Sequence, residues 1–113
     1  IHMAFGSDSP VISLSVMEGL YCAVTRKDLA GNPKNGWIPE QAISLYDAVY
    51  AYTMGGAYAS YDDGRKGSIT KGKYADMVIL DKNIFDIPEE EIKETKVLKT
   101  ILNGKIVYER SSN

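Results

Sequence analysis

Ile1-His2-Met3-Ala4-Phe5-Gly6-Ser7-Asp8-Ser9-Pro10 opens the sequence, and its reading decides what the rest can be. A short apolar stretch predicts a buried strand that stops at Gly6 and carries Asp8 just past its carboxyl end. In proteins built from alternating strands and helices, that end is where chemistry is placed. A carboxylate there can hold a metal ion or take a proton from a metal-bound water. The sequence has one histidine and one cysteine, whereas a hydrolytic metal site needs three or four protein ligands. Asp8 therefore reads as one ligand of a site whose other members lie elsewhere. The competing reading is an ordinary turn or helix-capping aspartate.

Working outward, Leu14, Met17, Leu20, Tyr21 and Val24 recur at helical spacing, with Ser13 as the expected N-cap. Thr25-Arg26-Lys27 places cations near the helix C-terminus, where the backbone dipole favours them. Residues 28–39 are rich in turn formers and predict a loop, with Trp37 covering a core edge in preference to lining a pocket. Ser44-Leu45-Tyr46-Asp47 is a capping-box variant with Asp in the Glu position. Leu45, Ala48, Val49 and Tyr52 form the apolar stripe of a second helix. Met54-Gly55-Gly56 is expected to interrupt it before a further helical turn or two over 57–61, with the small residues Gly55, Gly56, Ala57 and Ala59 permitting close packing.

Beyond a polar hinge at 62–67 the period changes. Ser68-Ile69 and the run Ala75 to Leu80 predict strands, and Pro88 to Ile92 a single helical turn begun by proline. Val97–Leu102 and Lys105–Tyr108 flank Asn103-Gly104, a strong hairpin signal. The tail from Arg110 to Asn113 is expected to fray. The fold class expected is α+β, with helices packed on an antiparallel sheet of three to five strands. It divides into residues 1–61 and residues 62–113.

The chain has 113 residues and a formal net charge of -2, with its basic residues scattered, which argues against a nucleic-acid partner. No apolar run approaches the roughly 20 residues of a membrane span. A single cysteine makes no internal disulfide, so a cytoplasmic location is the default expectation. Cys22, in an apolar helical pattern, reads as a small packing residue and not as a nucleophile. His2-Met3 continues the alternation into Ala4-Phe5 and reads as native sequence over a cloning remnant, with His2 in no site. Asp76 reads as a strand-edge or turn-bonding residue, and Glu89-Glu90-Glu91 as a solvated helix start and not a metal site.

Taken in order, Gly6-Ser7-Asp8-Ser9-Pro10, Tyr52-Thr53, Gly55-Gly56-Ala57-Tyr58-Ala59, Lys66-Gly67-Ser68-Ile69, Gly72-Lys73-Tyr74-Ala75-Asp76-Met77-Val78-Ile79-Leu80-Asp81 and Asn103-Gly104-Lys105-Ile106-Val107-Tyr108 resemble the C-terminal end of the amidohydrolase superfamily. The likeness is to its amidohydrolase-3 branch, which includes formamide deformylase-like and exoenzyme regulatory protein-like members. It runs from about Ala4 to Tyr108.

The resemblance implies that residues 1–61 hold the last strand and closing helices of a metal-dependent (β/α)₈ barrel. Residues 62–113 would supply the C-terminal strands of a small composite β-sandwich. Asp8 then matches the family's metal-ligating, proton-carrying aspartate, both catalytic and metal residue, for hydrolysis of a small-molecule amide at a non-peptide C–N bond. The implied cofactor is a divalent metal, zinc by preference, held in the parent enzyme. None is expected on this fragment, which is expected to be inactive alone.

Two other readings compete. One is an interaction module that self-associates through exposed strand edges, giving a homo-oligomer. The other is a small binding domain using Trp37 and the tyrosines Tyr46, Tyr50, Tyr52, Tyr58 and Tyr61.

Overall fold

Helix α1, Val16–Thr25, begins at Ser15, whose hydroxyl accepts the Glu18 N–H at 3.4 Å. The cap falls two residues later than expected. Ser13 instead accepts the Ser15 N–H at 3.1 Å, so it organises the approach to the helix. A computed structural model describes residues 1–111 of the chain. Leu20, Tyr21 and Val24 of α1 turn inward and are buried.

The helix ends at Arg26, which takes the left-handed conformation (φ 58°) and returns its N–H to the Cys22 carbonyl. Glycine is usual there because a Cβ is unfavourable. Here the neighbouring loop holds the arginine. Trp37 N–H donates to the Arg26 carbonyl at 2.7 Å, Arg26 Nε donates to the Trp37 carbonyl at 3.1 Å, and the guanidinium lies 5.1 Å from the indole centroid. Trp37 is 62% exposed, so it does not cover a core edge; its ring is met by the Arg26 cation instead.

The loop before Trp37 is pinned by Asp28 Oδ1, which accepts the Ala30 and Asn32 N–H groups. The next residue, Ile38, also has a left-handed backbone (φ 49°). A β-branched side chain is strained there, whereas asparagine tolerates the region. Ile38→Asn is expected to raise the free energy of unfolding by about 1 kcal/mol, read from the urea midpoint. A lower midpoint would show that the half-buried Ile38 side chain contributes more than its backbone costs.

Ser44 caps helix α2, Leu45–Tyr50, accepting the Asp47 N–H at 3.1 Å and donating its hydroxyl to Asp47 Oδ2 at 2.6 Å. Asp is one methylene shorter than the usual Glu, so the reciprocal bond goes to the cap hydroxyl and not to its backbone. Met54-Gly55-Gly56 does not break the helix. The chain passes through a widened π-type turn, Ala51–Gly55, into α3, Gly56–Ala59, with both glycines right-handed (φ -60° and -64°).

The expected first strand is not a strand in the described chain. Residues 1–7 join no ladder, because a ladder needs neighbouring strands and the described residues provide none beside it. The segment runs along the helix instead, with Phe5 N–H donating to the Ala51 carbonyl at 3.1 Å. Ser68-Ile69 also forms a bend, held by Ser68 and Thr70 hydroxyls 3.0 Å apart.

Three strands follow: β1 Met77–Leu80, β2 Val97–Leu102 and β3 Lys105–Glu109, antiparallel in the order β1-β2-β3. Met77 faces Ile101 across the first pair, and Leu102 faces Lys105 across the second. Asn103 and Gly104 both have positive φ (49° and 77°), the requirement of a two-residue type I′ hairpin. Asp76 Oδ1 accepts the Asn103 N–H at 2.7 Å, in the turn-bonding role expected of it. Between β1 and β2, Glu89–Glu94 forms a 3₁₀ helix, with Pro88 as its cap and not its first residue. Arg110 does not fray: its N–H reaches Leu98 and its Nε reaches Val97. Ser112 and Asn113 of the expected fraying tail lie outside the described residues.

Leu20, Tyr21, Val24, Ala48, Ile84 and Ile92 make the core, so it lies between α1, α2 and the segment joining β1 to β2. Leu80 of β1 packs against this core, but the sheet is otherwise largely uncovered. Val78, Ile79, Leu98, Leu102, Ile106, Val107 and Tyr108 are exposed. Since consecutive strand residues point to opposite faces, Val78 and Ile79 place uncovered apolar surface on both sides.

Candidate functional site

Asp8 lies in a turn whose backbone closes from the Val11 N–H to the Asp8 carbonyl at 2.9 Å. Its φ is 48°, and aspartate is among the few residues that accept this region readily. The side chain is exposed, and among the described residues its carboxylate has no hydrogen-bond or ion-pair partner. Ser7 and Ser9 neither bond that carboxylate nor cap the next helix, whose cap is Ser15. Asp8 thus does not tie off α1. It is an exposed acid at the end of an extended arm.

The arm is seated at several points. The Phe5 ring meets Tyr52 edge-on at 5.4 Å, and His2 stacks on Tyr58 at 4.1 Å. Phe5 N–H is taken by Ala51, and the Met3 backbone presses against Gly55.

No cluster of three or more His, Cys, Asp or Glu able to hold a metal occurs among the described residues. The only cysteine, Cys22, has its thiol pKa raised, first by burial and then by the carboxylates of Glu18 and Asp28, which disfavours the thiolate a nucleophile needs. An open cleft of 470 Å³ lies between α3 and β1, lined in part by Tyr52, Ala57, Lys66, Ile69, Asp76 and Val78. Its charged members are Lys66 and Asp76, and Asp76 is engaged in the hairpin turn, so the cleft carries no catalytic set.

One polar network was not legible in the sequence. Tyr21, fully buried, donates its hydroxyl to Glu90 Oε2 at 2.9 Å, while Lys27 Nζ meets Glu90 Oε1 at 2.5 Å. Lys93 Nζ sits 4.5 Å from the Tyr21 ring centroid and donates to the Leu29 carbonyl. The acidic run is therefore more than a solvated helix start: Glu90 clamps the 3₁₀ helix to α1, and Glu91 pairs with Lys82 at 2.7 Å. Tyr21 and Glu90 are 69 positions apart, so no local pattern could have found them.

Hydrogen bonds from Lys27 and then Tyr21 hold the Glu90 carboxyl below its ordinary value. A lowered folded-state pKa gives stability that is present above the unfolded value and is lost as pH falls through the folded one. Glu90→Gln is expected to flatten the acid limb of the stability curve between about pH 5 and 3, while the plateau near neutrality drops by less than the wild-type change across that limb. An unchanged acid limb in a denaturant–pH matrix would show that this clamp is not formed.

A family model described as "Amidohydrolase family" matches residues 1–108. N-substituted formamide deformylase of Arthrobacter pascens is 33% identical over 113 residues, covering 100% of this chain and 20% of that protein. Protein LONG AFTER FAR-RED 3 of Arabidopsis thaliana is 36% identical over 106 residues, covering 94% and 18%. The chain thus spans about a fifth of the length of these relatives. In fold it is similar to an amidohydrolase from Thermotoga maritima MSB8, with a TM-score of 0.72 at 22% identity, covering 97% of this chain and 24% of that one. With the match extending over nearly every residue, including the arm that bears Asp8, the chain belongs to the amidohydrolase family.

Proposed function

We propose that this chain is the C-terminal fragment of a metal-dependent hydrolase of non-peptide C–N bonds, and that Asp8 is the acid it contributes to the active site. The observation that carries the reading is the Asp8 turn itself: an exposed carboxylate without a partner among the described residues, at the end of an extended arm, inside a chain that matches the family over residues 1–108. A helix cap or structural ion pair would have given that carboxylate a partner.

One acid does not make a metal site. Divalent ions of the zinc type take three or four protein ligands, and the described residues hold no group of that kind. The residues of this chain alone do not fit a metal, so the remaining ligands are assigned to the rest of the full-length protein. Without them, the isolated chain is proposed to be inactive. An N-substituted formamide or a related small amide is the substrate class suggested by the name of the Arthrobacter relative.

In the same reading, the segment that stops at Gly6 is the last strand of a (β/α)₈ barrel whose neighbouring strands lie outside the chain, and residues 62–113 are part of a composite β-sandwich. The uncovered apolar residues on both sheet faces support this. The same surface supports a second reading, self-association of the chain when expressed alone. The reading frame upstream of Ile1 tests the first: a His-x-His strand is expected there, and its absence from the full-length gene product would overturn the proposal.

A further inference from the structure

We infer that the widened turn Ala51–Gly55 is the seat that fixes the arm bearing Asp8, and that Gly55 is a positioning residue for that carboxylate. The inference rests on the role proposed for Asp8. Whatever barrel neighbours the arm has in the full-length protein, part of its need for backbone N–H and C=O partners is met by the helix within this chain. The Phe5 N–H finds the Ala51 carbonyl at 3.1 Å, at the point where the helix widens from α to π geometry. Such single-turn widenings are frequent at functional sites.

Gly55 explains the fit. Its φ of -60° is open to any residue, so the glycine is not there for backbone freedom. It is there for space: a Cβ at this position would lie 2.0 Å from the Met3 carbonyl oxygen and 3.1 Å from its carbon. Those atoms are backbone and cannot rotate away. The handles also run in order. Going from His2 through Met3 to Phe5, the arm meets Tyr58, then Gly55, then Tyr52 and Ala51, so it lies antiparallel to the helix. Only Gly6 and Ser7 separate the last handle from Asp8, so a shift of the arm is passed to the carboxylate.

The test is a double-variant cycle in the full-length protein, read by kinetics and by amide hydrogen exchange. Gly55→Ala is expected to lower kcat by about 10²-fold, the cost of roughly 1 Å of misplacement, and to speed exchange at the Phe5 amide. Amides of α1 should keep their protection. In an Asp8→Asn background the same substitution should change kcat by less than about twofold, since nothing remains to be positioned. If α1 loses protection as well, Phe5→Ala replaces Gly55→Ala in the cycle; it removes the Tyr52 contact and adds no atom to the helix. The same failure to multiply is then expected.

A Phe5 amide that keeps its protection, or losses that multiply independently of Asp8, would overturn the inference and leave Gly55 as ordinary packing. Asp8→Asn with unchanged kcat would remove the role of Asp8 itself, and this inference with it.

Discussion

Asp8→Asn in the full-length protein is expected to reduce kcat by about 10³-fold, the scale at which a positioned proton carrier contributes. The substitution is nearly isosteric, and it removes charge and basicity without removing volume. The structure gives no reason for it to disturb the fold. The carboxylate is exposed, and among the described residues it has no hydrogen-bond or ion-pair partner. The turn is held by backbone, from the Val11 N–H to the Asp8 carbonyl, and asparagine accepts a φ of 48° as readily as aspartate. Compared in the metal-free protein, thermal midpoint and circular dichroism should therefore match wild type, while turnover of the metal-loaded protein collapses. A variant with normal turnover would show that the turn is merely a turn. A variant that loses turnover and stability together would show that Asp8 has a structural role.

Ile92→Ala is expected to have the largest effect on stability, about 3 kcal/mol lost within the usual range of 2–5 for such truncations. Ile92 is 0% exposed and lies in the core with Leu20, Tyr21, Val24, Ala48 and Ile84. It is carried by the 3₁₀ helix Glu89–Glu94, so its side chain joins the sheet-bearing half of the chain to α1. The core is small, and the Tyr21–Glu90 and Lys27–Glu90 contacts fix the 3₁₀ helix in place beside the new cavity. Limited collapse places the cost above the low end of that range. Against the 5–15 kcal/mol of an ordinary domain, a loss of that size should move the urea midpoint well outside error with little change in slope. A shift below about 1 kcal/mol would mean that the two halves are not held together through this residue.

Local chemistry was legible where a few neighbouring residues decide the outcome. Asn103-Gly104 fixes its hairpin because both positions need positive φ, and both have it. Ser44 and Asp47 fix a helix start because the partners are three residues apart. The apolar period of α1 was readable from Met17 to Val24, but the cap moved from Ser13 to Ser15, so Leu14 of the expected stripe lies before the helix and is exposed. The α+β class followed from the change of period near residue 65.

What depends on distant partners was not readable. Residues 1–7 carry a strand-like pattern, but strand formation is a property of a pair, and the chain describes no neighbour for them. Tyr21 meets Glu90, and Arg26 meets Trp37, through separations that no periodicity reports. Gly55 does not break the helix, but the close packing expected of the small residues there is met, because the Met3 backbone crosses it where a side chain would stand. For the site, the sequence could place one acid at the end of an arm. It could not assemble a centre, because the described residues do not contain one.

The most direct test is hydrolysis of an N-substituted formamide by the full-length protein and by the isolated 113-residue chain, both with the same excess of Zn²⁺, followed as released amine. Turnover by the full-length protein and none by the isolated chain is the result expected of a divided active site. Comparable turnover by the chain alone would contradict it.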